Sequence, residues 1–63
     1  MNTKSLSGQL VTLLSSVGPI KRVVVQDLGD VLLVCLVEEY EKAKIDAREP
    51  ATIGFKRSDV VTA

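Results

Sequence analysis

The sequence predicts an α+β fold: a small αββαβ domain with a three-stranded sheet and two helices. The sheet is a β-hairpin plus a third strand that follows a crossover helix. Three observations predict it. Residues 5–17 place Leu6, Leu10, Leu13 and Val17 on one helical face. Residues 20–37 hold two β-branched, apolar runs around the turn Asp27-Leu28-Gly29-Asp30. Residues 38–48 run from acids to bases and stop before Pro50, as a helix does.

The first segment, 5–17, reads as a helix with Leu14 beside the apolar stripe and Ser7, Gln9, Thr12 and Ser15 facing away. Gly18-Pro19 reads as its stop, because glycine takes the left-handed position and proline cannot continue a helix. Residues 20–26 contain three consecutive valines and read as the first strand. The turn at 27–30 has Gly29 for a positive φ. Residues 31–37 are all apolar, so both faces of that second strand need cover.

The segment 38–48 starts with Glu38, Glu39 and Glu41 and ends with Lys42, Lys44 and Arg48, an order that complements the helix dipole. Its apolar stripe, Tyr40, Ala43 and Ala47, is thin, so the helix lies flat and close on the sheet. Residues 51–55 read as a third short strand, and 56–59 as a polar turn. Val60 and Val61 then form an extra strand or one turn of helix. A strand–helix–strand connection predicts that strand three runs parallel to strand two, in the spatial order 1-2-3, with 2-1-3 as the alternative.

The chain has 63 residues, which make a single domain with a thin core. Small domains usually add disulfides, a metal or a second copy of themselves. Cys35 is the only cysteine and there is no histidine, which excludes an internal disulfide and a structural zinc site. Self-association remains. Eight basic and eight acidic residues cancel, a balance that argues against a dedicated nucleic-acid binder. The longest apolar run has seven residues, against about 20 for a bilayer span. With no signal-peptide pattern and an unpaired thiol, the expected location is cytoplasmic.

Little in the chain has the pattern of catalytic chemistry. Without histidine, acid–base work would fall to the carboxylates. Those at 38–41 are explained by the helix dipole and Asp27 and Asp30 by the turn. Counting Asp27 as the first residue of a calcium loop puts Glu38 at the twelfth, but the apolar residues between supply no ligand. Cys35 has no histidine to activate it and reads as a small buried filler. No phosphate-binding glycine motif is present. The expectation is therefore no enzyme, no cofactor and no metal.

The basic pairs Lys21-Arg22 and Lys56-Arg57 are the candidate site residues. If strand three parallels strand two, both pairs fall at one end of the sheet and form a four-charge patch for a phosphate or an acidic partner. Phe55, beside the second pair, reads as a core plug and not as an exposed finger. The stretch EEYEKAKIDAREPATIGF resembles the tails of short bacterial proteins with no assigned function; the resemblance implies no activity. The reading is a non-enzymatic protein-interaction module, homodimeric through an apolar sheet face, with self or another protein as partner. The alternative is a nucleic-acid-associated regulator that uses the two basic pairs.

Overall fold

A computed structural model describes residues 5–62. The chain forms strands β1 (Leu10–Ser15), β2 (Gly18–Asp27) and β3 (Val31–Cys35), then helix α1 (Val37–Ile45). Strand β4 (Ile53–Lys56), a single 3-10 turn (Arg57–Asp59) and β5 (Val60–Thr62) follow. The strands make one antiparallel sheet in the order β4-β3-β2-β1-β5.

This corrects the expected fold class. The domain is mostly β, with five strands and one helix among the described residues, in place of three strands and two helices. The predicted helix over 5–17 is β1 and the turn before it. Its apolar set also fits a period of two: Val11 and Leu13 are buried, whereas Leu10 and Leu14 are more than half exposed. Pairing on both sides, with β2 and β5, supplies hydrogen bonds that an isolated short helix cannot match. Gly18-Pro19 ends no helix. It opens β2 after the tight turn at Ser16 and Val17, where Ser15 pairs with Gly18. Both turn residues keep negative φ, so Gly18 takes the positive one, at 107°.

The expected parallel pairing is also overturned. β3 lies between β2 and β4, but β4 runs antiparallel to it, with Val31 opposite Lys56 and Val34 opposite Ile53. Helix α1 is therefore an excursion within a hairpin and not a crossover. Glu39 fixes the return. Its carboxylate accepts hydrogen bonds from Arg48 (2.6 and 3.3 Å) and from the Ala51 N–H (3.0 Å), folding the loop back along the helix. The helix itself ends in a Schellman arrangement: the Arg48 N–H donates to the Ala43 carbonyl and the Ala47 N–H to that of Lys44.

The short connection from β4 to β5 curls the sheet. These two strands form opposite edges, about 19 Å apart if four spacings of ~4.8 Å lay flat. The four Cα steps from Lys56 to Val60 reach about 15 Å at most. The sheet bends to bring its edges together, giving a half-barrel. Its concave side holds the core, Val11, Leu13, Val24, Leu32 and Val34, with Leu6, Ile20, Phe55 and Val60 packed against them. Val23 and Cys35 pair on the opposite face, and both are buried. Helix α1 rests against β2 and buries Ala43, so its contact is made by small residues.

Candidate functional site

A β-bulge sets up one end of the sheet. The β2–β3 register shifts between Val24 and Gln26, so Val25 has no partner of its own. After the shift Asp27 stands opposite Leu32 and shares the core side with it. The Asp27 carboxylate there accepts hydrogen bonds from the Leu6 N–H (2.9 Å), the Gly29 N–H (2.9 Å) and the Arg57 guanidinium. The Leu6 N–H, then the Gly29 N–H and the Arg57 charge, hold its pKa below the usual carboxylate value, against burial. Gly29, at φ 94°, presents its carbonyl to the Arg57 Nε (2.6 Å), and the Arg57 N–H donates to the Asp30 carbonyl (2.8 Å). Arg57 thus ties the β2–β3 turn to the 3-10 turn.

The opposite end of the sheet is open. A hollow of about 330 Å³ lies beside the middle of β2, at the end of β3 and the start of β4, lined by Arg22, Val34, Leu36, Ala51 and Ile53, with Cys35 and Glu39 at its wall. Leu36 is 49% exposed and Ile53 59%, so its rim is apolar and accessible. Glu39 is committed to Arg48 and Ala51, and its pKa is lowered to about 2, first by the Arg48 hydrogen bonds and then by the Ala51 N–H. Arg22 bonds only the Lys21 carbonyl (2.7 Å) and pairs with no carboxylate among the described residues. The hollow therefore combines apolar walls with one uncommitted guanidinium, a combination suited to an apolar group beside an anion.

The two basic pairs of the sequence reading do not meet. Their convergence depended on parallel strands, and the antiparallel register sends them apart. Lys21 and Arg22 stand opposite Thr12 and Val11, whereas Lys56 stands opposite Val31 at the other end. The separation along the strands is roughly 15 Å at ~3.3 Å per residue, beyond a Debye length of about 8 Å. Within the second pair, Arg57 is spent on Asp27 and Gly29, while Lys56 is exposed. Asp27 and Asp30 flank the turn as expected. Among the described residues no three His, Cys, Asp or Glu side chains gather as a metal site. No described helix is long and apolar enough to cross a membrane.

Cys35 is buried, 3% exposed, and burial, then the nearby Glu39 charge, pushes its thiol pKa up. A thiol in that state carries little thiolate at neutral pH and is a poor nucleophile. The hub at Asp27 and the hollow at Arg22 escaped sequence reasoning. Asp27 reads from sequence only as a turn former, and nothing in the spacing of Arg22, Leu36 and Ile53 signals that they share a rim. Compared with protein families, with curated proteins and with solved structures, the chain finds no match.

Proposed function

We propose that this chain is a small non-enzymatic interaction module that works as a homodimer. The observation that carries this reading is the β4 side of the half-barrel. Among the described residues strand β4 has a neighbour on one side only, leaving a row of backbone donors and acceptors open to a partner. Around it Val31, Leu36 and Ile53 stay 40%, 49% and 59% exposed. Five fully buried side chains make a small core for such a chain, and the lone thiol offers no covalent staple. A second copy along this side would bury the apolar rim and pair the free edge. Such burial stabilises the folded state by mass action as well as by contact.

Light scattering and sedimentation velocity from micromolar to millimolar concentration test the reading. The expected result is a dimer that dissociates on dilution, with a thermal midpoint that rises with concentration. A monomer across the whole range, folded throughout, overturns it.

A further inference from the structure

Strand β3 leaves the sheet before β2 does. Its ladder with β2 ends at the Val23–Cys35 pair, whereas β2 reaches back to Gly18. Leu36 keeps an extended backbone for one more step before α1 begins. Continued by that step, the antiparallel ladder sets Leu36 beside Arg22. Ile53 stands opposite Val34, and side chains along a strand alternate between the two faces. Arg22, Val34, Leu36 and Ile53 therefore share the core side, where the half-barrel opens. The buried Val34 is the floor of the hollow, the exposed Leu36 and Ile53 are its rim, and Arg22 supplies a cation in its wall.

The Arg22 guanidinium gives one N–H to the Lys21 carbonyl and pairs with no carboxylate among the described residues. Its remaining donors can grip both oxygens of a carboxylate at once. The Glu39 charge in the same wall is already met by Arg48 and by the Ala51 N–H. One guanidinium over an apolar floor suits a single negative charge attached to a hydrocarbon. A dianion such as phosphate would lose more hydration there than one cation returns.

We propose that this hollow binds a small aliphatic monocarboxylate, with its carboxylate on Arg22 and its tail on Val34, Leu36 and Ile53. The volume, about 330 Å³, falls within the range of roughly 300–1,000 Å³ for small-molecule sites, and barrel mouths are among the places where such sites form. The tail adds affinity by removing apolar surface of ligand and rim from water. One chain alone walls the site, so the proposal goes beyond the homodimer reading and does not rest on it.

Amide chemical-shift titration with hexanoate tests the site. Leu36 and Ile53 also border the side offered to a second copy, so the protein is kept at micromolar concentration, where the dimer expected above dissociates. Hexanoate should give saturable shifts centred on Arg22, Leu36, Ala51 and Ile53. Acetate lacks the tail and hexanol lacks the charge, and each should bind about tenfold more weakly or worse. Arg22→Gln should weaken hexanoate by a similar factor, Arg22→Lys by less, and Lys56→Gln, at the far end of β4, not at all. No saturable shift at millimolar hexanoate overturns the proposal, as does equal binding of acetate or hexanol to the native chain. Arg22→Gln that folds and binds hexanoate as the native chain does also overturns it. The ligand comparison needs no variant, so it decides even if Arg22→Gln fails to fold.

Discussion

Asp27 holds Arg57 across thirty residues of chain, and the pair joins three segments that no strand ladder connects. The carboxylate also receives the Leu6 N–H and the Gly29 N–H, so the segment before β1, the β2–β3 turn and the 3-10 turn share one acceptor. Asp27→Asn keeps the shape but removes the charge and one strong acceptor site. The thermal midpoint is expected to fall, and by clearly more than for Asp46→Asn, whose aspartate is exposed at the helix end. Equal effects of the two substitutions would show that the hub does not contribute to stability.

Two carboxylates set the pH response. Asp27 and Glu39 both have folded-state pKa values below their ordinary ones, Glu39 at about 2. A depressed carboxylate contributes stability that is present above its unfolded pKa and is lost as pH falls through the folded value. Stability should therefore be flat from pH 7 to about 5, then decline toward pH 2. Thermal melts at half-unit pH steps follow this, and Glu39→Gln should flatten the acid limb. A variant with the native acid limb would rule out the Glu39 assignment.

Phe55 lies opposite Leu32 and packs on the core, though it is only partly buried. Truncation to alanine should cost about 2 kcal/mol, less than the ~3–5 kcal/mol of a fully enclosed phenylalanine. Urea unfolding measures it. A loss under about 0.5 kcal/mol, the range of neutral surface sites, would mean that the ring contributes no core contact.

Ala47 takes φ 54° just past the end of α1, a left-handed conformation that glycine adopts without strain. Ala47→Gly should stabilise the chain by about 0.5 kcal/mol, because relief of that strain exceeds the entropy glycine adds to the unfolded chain. An unchanged or lower denaturation midpoint would contradict this.

Cys35 is buried on the face covered by α1, with its thiol pKa raised. A chromogenic disulfide reagent should label it slowly at neutral pH and rapidly after denaturant is added. Rapid labelling of the folded chain would mean that the helix opens readily from β2.

One hairpin and one helix were legible in the residues, whereas the size of the sheet and the direction of its pairing were not, for physical causes. The hairpin over 20–37 shows in its β-branched runs and in Gly29, and α1 shows in its acid-to-base order and in Pro50. Those signals are local. β1 was misread because Leu6, Leu10, Leu13 and Val17 satisfy the helical period. Strand is selected by partners far along the chain, such as Val60 opposite Leu13. The direction of β4 was misread for a similar reason. It depends on Glu39 meeting Arg48 and Ala51, nine and twelve residues away, and no periodic pattern records such contacts. The candidate patch failed with that direction. The hollow at Arg22 became visible only once three strands were in register.

The unpaired Val25 gives the chain an uneven tolerance to changes of length. In a strand with regular alternation, neighbouring residues look to opposite sides. Deleting Val25 would straighten β2 and leave Gln26 opposite Leu33 and Asp27 opposite Leu32, on the sides they already hold. The strand would lose its local kink there, while the Asp27 carboxylate would stay on the side of Leu6, Gly29 and Arg57. A residue added between Ala51 and Ile53 would lengthen a loop and leave every strand in register. Length variants of this protein are therefore expected in the return from α1 and at the Val25 bulge, and not among the paired residues of β2.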